Sequence, residues 1–177
     1  LAKTALPEGL SEIPASMFYG CQTVEEIVIP STVASIGNKA FFGCSNLKSL
    51  IFTETPEGQT PVDLVILDTP NGSSDNGYTN SPFYGCTSLK NIVLPERLTV
   101  IGRLAFGGLV SGRYGEKYIP PFESISLPST LKEIHEMAFL NARNLKTVTF
   151  ASGTTLSDAC DGKAFAIGKQ AFYYCTS

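Results

Sequence analysis

The chain has no tryptophan, one histidine and two methionines in 177 residues, and charged residues make up only 16% of it. A globular chain usually carries about 25% charged residues, so groups able to titrate or move protons are scarce. Thirteen basic residues against sixteen acidic ones leave a formal charge of −3. That balance excludes sequence-independent binding to a phosphate backbone, which needs clustered lysine and arginine. No apolar run approaches the roughly 18–20 residues of a membrane span. The opening Leu1-Ala2-Lys3-Thr4 lacks the long apolar core of a secretory signal. What remains is a 43% hydrophobic chain, long enough for one domain with a sizeable core and too apolar to be disordered.

What is present in abundance is repetition. Ile13-Pro-Ala-Ser-Met-Phe18-Tyr-Gly-Cys21 returns as Ile36-Gly-Asn-Lys-Ala40-Phe41-Phe-Gly-Cys44, and as Tyr78-Thr-Asn-Ser-Pro82-Phe83-Tyr-Gly-Cys86. Further copies centre on Phe106, Phe139 and Phe172. From Phe18 the steps are 23, 42, 23, 33 and 33 residues, a base period of 23 with insertions. A second pattern follows each Phe at constant phase: Val24-x-x-Ile27-x-Ile29-Pro30, Leu47-x-x-Leu50-x-Phe52, Leu89-x-x-Ile92-x-Leu94-Pro95, Phe122-x-x-Ile125-x-Leu127-Pro128 and Leu145-x-x-Val148-x-Phe150. Then comes an x-x-(Leu/Val)-x-x-Ile step, as in Pro30-Ser-Thr-Val33-Ala-Ser-Ile36.

These periods dictate one structural unit. Ile27 and Ile29, two apart, share one side of a short strand and put Glu26 and Val28 on the other. The following Pro has no N–H and stops the ladder. The Ala40-Phe41 segment is too short for an independent helix and reads as one helical turn closed by Gly43. A single unit cannot bury its Phe, Ile and Leu; stacked units, paired at about 4.8 Å per rung, can share a continuous core. The expectation is a repeat solenoid of six or seven rungs, with its phenylalanines in one file.

The composite pattern Ile-Gly-x-x-Ala-Phe-x-x-Cys-x-x-Leu-x-x-Ile-x-Leu-Pro resembles the BspA-type leucine-rich repeats of bacterial surface proteins. The fold class expected is an α/β repeat solenoid: a right-handed leucine-rich-repeat stack with a parallel β-sheet face, short strands and short helical or 3-10 turns. The resemblance supplies the handedness, and it implies secretion to the outside or the cell surface and a role in adhesion or host-protein binding. It carries over no catalytic residues. Departures are Leu109 and Ala142 in place of Cys, Pro82 in place of Ala, and inserts at about 53–81, 109–121 and 151–166. The first residue stands at the start of a strand motif and Ser177 falls just before the next, with no polar cap at either end. Residues 1–177 are therefore expected to be one solenoid cut from a longer array, with signal and anchor outside it.

Candidate chemistry is thin, and no catalytic residue, cofactor or metal is expected. Cys21, Cys44, Cys86 and Cys175 share one repeat position and so form a column facing the core. Without close C-x-x-C pairs they do not suit a metal, and their common orientation makes a disulfide awkward; buried thiols are expected. Cys160, in an insert, stands apart as either buried or reactive. His135 replaces a repeat glycine, and the sequence places no nucleophile beside it, so it reads as a surface histidine near a turn. The Asn71–Gly77 and Asp158–Gly162 segments hold clustered oxygens without calcium-loop spacing, which turn chemistry explains.

The outward strand positions are the candidate protein-binding face: Glu26, Val28, Ser49, Ile51, Asn91, Val93, Ser124, Ser126, Thr147 and Thr149. Val28, Ile51 and Val93 form an apolar column that continues as Ser126 and Thr149. Three readings stand: an interaction patch, strand propensity alone, or a surface covered by the insert run Val62-Asp-Leu64-Val65-Ile66-Leu67. Arg113, Tyr114, Lys117 and Tyr118 in the second insert are candidate contacts of a kind enriched at recognition surfaces. The expected function is a non-enzymatic extracellular or cell-surface solenoid binding an unidentified protein, such as a host matrix protein, with no nucleic acid and no direct membrane insertion. A structural spacer presenting another domain is the alternative, and a hydrolase using the inserts a weaker third.

Overall fold

A computed structural model describes residues 3–69, 80–108, 118–151 and 166–175. Twelve short strands follow one another: β1 Lys3–Ala5, β2 Glu12–Ile13, β3 Glu26–Ile29, β4 Ser35–Ile36, β5 Ser49–Phe52, β6 Leu64–Ile66, β7 Asn91–Val93, β8 Leu98–Ile101, β9 Ser124–Leu127, β10 Glu133–Ile134, β11 Thr147–Phe150 and β12 Ala166–Ile167. The odd strands make two parallel three-stranded sheets, β1-β3-β5 and β7-β9-β11, and the even strands one six-stranded parallel sheet. Each rung therefore contributes one strand to each side of a spiral, and the repeat phase becomes the register. Ile27 lies opposite Leu50 and Ile125 opposite Val148.

The phenylalanines stack along one axis. Phe18, Phe41, Phe83 and Phe106 follow at centroid spacings of 5.5, 5.4 and 5.1 Å, then Phe139 and Phe172 at 5.4 and 4.8 Å, all within about 11° of parallel. Phe41, Phe106 and Phe139 are almost fully buried among Ile27, Ile29, Ile36 and their counterparts in other rungs. A second aromatic file, Tyr19, Phe42, Tyr84 and Tyr118, runs beside it at 4.8, 5.2 and 4.7 Å.

The segment carrying each Phe differs from the expected helical turn. Its backbone N–H groups alternate in destination: Lys39, Phe41 and Gly43 donate to Asn80, Pro82 and Tyr84 of the next rung, whereas Ala40, Phe42 and Cys44 close local turns to Gly37, Lys39 and Phe41. Left-handed residues stand two before and two after Phe18, Phe41, Phe139 and Phe172, as at Lys39 (φ 55°) and Gly43 (φ 71°), or Met137 (φ 56°) and Asn141 (φ 58°). An α-helix cannot contain them. Gly43 is thus there for its positive φ in a turn that also hydrogen-bonds between rungs. No α-helix occurs among the described residues.

The first insert removes one of the three readings of the strand face. Leu64–Ile66 does not cover the Val28, Ile51 and Val93 column. It forms β6, a rung of the opposite sheet between β4 and β8, with Leu64 and Ile66 buried. The repeat's Ile position is filled by Ile66 rather than Tyr78, which lies outside the described residues. Arg97 pins this rung: its Nη1 donates to Val33 O (2.5 Å) and Val62 O (3.3 Å), and its Nη2 to Pro30 O (3.1 Å). Burial lowers the Arg97 pKa, against a raising influence from Glu54.

Candidate functional site

The predicted face lies on the outer side of the odd strands. Pleating sends Ile27, Ile29, Ile125 and Leu127 into the core and turns the residues between them outward. Two columns result within each sheet: Glu26 opposite Ser49 and Val28 opposite Ile51, then Asn91–Ser124–Thr147 and Val93–Ser126–Thr149. Glu26, Val28 and Ser49 are partly buried, whereas Asn91, Ser124, Ser126, Thr147 and Thr149 are exposed. Ile51 is 37% exposed and Val93 74%.

The face is not one continuous sheet. Among the described residues β5 and β7 share no ladder bond. At ordinary steps the residue before the strand reaches back a rung, as Lys48 N does to Glu25 O and Lys146 N to Glu123 O, each at 2.8 Å. At the interrupted step Lys90 N instead bonds locally to Ser88 O at 3.0 Å. Pro95 further on has no N–H with which to close the rung, where Thr53 N bonds to Ile29 O. A groove of about 540 Å³ lies over the outward face at this interruption, bordered by Ile51, Phe52, Glu54, Val93, Leu94 and Glu96 and reaching Ser126 and Pro128 of the next rung. The expected apolar column is thus divided between two sheets, and its exposed members Ile51 and Val93 border one groove.

Charges frame the face along the strand direction. Lys48 pairs with Glu25 at 2.8 Å and Lys146 with Glu123 at 2.9 Å. Hydrogen bonds from these lysines hold the Glu25 and Glu123 carboxyls below the usual range. Lys90 stands exposed at the start of β7 and makes no salt bridge among the described residues. Glu54 and Glu96 are exposed beyond the ends of β5 and β7.

The insert contacts divide differently. Arg113, Tyr114 and Lys117 lie outside the described residues. Tyr118 is buried, only 9% exposed, so it is a packing residue and not a surface contact. Its ring takes the place in the second aromatic file that Gly107 leaves open, and its hydroxyl donates to Phe83 O at 3.1 Å. Burial pushes its phenol far above the ordinary range.

Sequence reasoning missed the surroundings of His135. Its Nδ1 lies 2.6 Å from Asp68 Oδ1 and its Nε2 2.8 Å from Glu133 Oε2. Asp68 follows β6, two rungs away, and also accepts a bond from the Arg103 amide. Arg103 lies over Glu136 at 3.6 Å. Gly102 lets the intervening turn pass, because a Cβ there would sit 2.4 Å from Ile66 O. Desolvation lowers the His135 pKa, but the bonds to Glu133 and Asp68 outweigh it and leave the imidazole above its ordinary value. Both ring nitrogens face carboxylates, and the contact to Asp68 clasps the rung of β10 to that of β6.

Cys44, Cys86 and Cys175 donate their thiols to the carbonyls of Phe18, Phe41 and Phe139. Those three and Cys21 are free. Cys160 and the two oxygen-rich segments lie outside the described residues. Among the described residues no three His, Cys, Asp or Glu side chains converge for a metal, and no helix is long and apolar enough to cross a membrane.

The BspA type leucine rich repeat region matches in six copies, over residues 1–58, 73–113 and 117–177. The fold is similar to the leucine-rich-repeat protein of T. pallidum, with a TM-score of 0.54 and 24% identity over 99% of this chain and 78% of that one. It is also similar to a leucine-rich cell surface protein of Faecalibacterium prausnitzii A2-165, with a TM-score of 0.58 and 21% identity. The alignment covers all of this chain and 46% of that protein, less than half its length. No curated protein sequence matches the chain.

Proposed function

We propose, from the premise that this chain belongs to the BspA-type leucine-rich-repeat family, that it is a protein-binding solenoid working outside the cell or at its surface. The family and the cell-surface neighbour support that location. The observation that carries the reading is the exposure of the aliphatics Ile51 and Val93 at one groove of a largely polar strand face. Exposed aliphatics grouped at a concavity mark interaction surfaces. A stacked frame orders such a face before the partner arrives, which lowers the entropy cost of association. The packing roles of the His135 clasp and the thiol column support binding without turnover.

The test is retention of purified extracellular matrix proteins by the immobilised chain. A bound protein should be lost from the Ile51→Asp, Val93→Asp double variant while its melting temperature stays at the wild-type value. Retention at wild-type level by that variant removes the strand face as the site.

A further inference from the structure

We propose that the groove between β5 and β7 is a docking site for an extended segment of a partner protein, one that carries an aliphatic side chain followed by a lysine or arginine. This rests on the protein-binding reading above and adds the chemistry of the bound segment.

Three observations converge on it. The first is the interruption itself. The facing edges of β5 and β7 share no ladder bond among the described residues, yet the two strands stay close, so the groove lies over their outward faces and a bound segment rests on side chains rather than adding a strand. The second is the lining. Phe52 and Leu94 supply apolar floor, and Ile51 and Val93 rise on either side. An extended segment presents alternate side chains to one surface, so an aliphatic residue can enter while its neighbours face solvent.

The third is charge. Beyond the strand ends Glu54 and Glu96 border the groove as exposed carboxylates. Arg97, next in sequence, does not cover them, because its guanidinium is engaged with the carbonyls of Pro30, Val33 and Val62, although its charge is felt at Glu54. One oxygen of Glu96 accepts from the Ser129 amide and hydroxyl, which fixes that carboxylate in place. At the opposite end stand Lys48, already paired with Glu25, and Lys90, which makes no salt bridge among the described residues but whose charge is felt at Glu123. A segment with its cation toward Glu54 and Glu96 is favoured over the reverse orientation. Such complementarity sets direction and partner choice more than raw affinity.

The experiment is selection of phage-displayed random heptapeptides on the whole chain, followed by titration of the synthesised winner and of an analogue with its basic residue changed to Glu. Enriched sequences should share an aliphatic residue followed by Lys or Arg. Val93→Asp should weaken the winner by at least about tenfold, as loss of a central contact does. Glu54→Lys with Glu96→Lys should transfer the preference to the acidic analogue. Both positions are exposed, and an unchanged melting temperature confirms that the variants fold. Failure to enrich any peptide, or equal binding of winner and analogue, overturns the proposal. Peptides weakened by Thr147→Asp or Thr149→Asp but not by Val93→Asp overturn the groove while leaving the strand face as a binding surface. Concentration-dependent dimerisation abolished by Val93→Asp overturns it in favour of a second copy of this chain.

Discussion

Phe106 lies between Phe83 and Phe139, 5.1 and 5.4 Å away, with the edge of Phe122 at 6.0 Å. Truncating it leaves a cavity that three fixed rings cannot fill by collapsing. Phe106→Ala should cost about 3–5 kcal/mol in urea denaturation, and a cost below about 1 kcal/mol would contradict the stacked file. His135 makes a prediction of a different kind. Its folded pKa is raised, so the clasp stabilises fully below the ordinary histidine value and fades as pH rises through the raised one. Asp68 is held low overall: burial raises it, and the Arg103 amide and His135 outweigh that. Its contribution is therefore lost only in strong acid. The stability gap between wild type and His135→Gln should be wider at pH 5.5 than at pH 8.5; a gap that widens toward alkaline pH would refute the clasp. The isolated sequence shows His135 and Glu133 as neighbours, but Asp68 is 67 residues away. Only the register of β6 with β8 and β10 brings it there, which is why the cluster could not be read from the chain.

At the scale of elements, the strands were legible because their apolar residues repeat at a spacing of two and at one phase of a fixed period. β6 was not. The step x-x-Leu-x-x-Ile shortens there to Leu64-Val65-Ile66, and the missing residue appears as a register shift where Leu64 faces Leu98 but Val65 faces Val100. A search at constant spacing passes over it. The Phe-bearing turns were misread for another reason: a glycine after Phe signals a helix end and a left-handed turn equally well, and the rung-to-rung hydrogen bonds decide between them. Arg97 gives β6 its test. Arg97→Met leaves the carbonyls of Pro30, Val33 and Val62 without that donor, a loss of about 1–3 kcal/mol. Amide exchange at Val65 and Leu67, which donate to Ala34 and Ile36, should accelerate in that variant. Unchanged exchange at both would mean that Arg97 does not hold the rung.

For the whole molecule, one repeat sets two properties: a core that no single unit could close, and a rigid face whose outward residues are free to vary. The candidate face was readable because pleating fixes which residues leave the core. Its division was not, since the loss of pairing between β5 and β7 falls at the step where 38 residues, β6 among them, separate Phe52 from Asn91. That step leaves Ile51 and Val93 bordering a concavity instead of paired within a flat ladder.

The direct measurement of this account is hydrogen–deuterium exchange on the chain alone and saturated with a matrix protein that it retains. Protection should concentrate in β5, β7 and β9, with β6, β8 and β10 unaltered. Protection centred on the six-stranded sheet or on the Phe-bearing turns would contradict the assignment of the outer strand face as the binding surface.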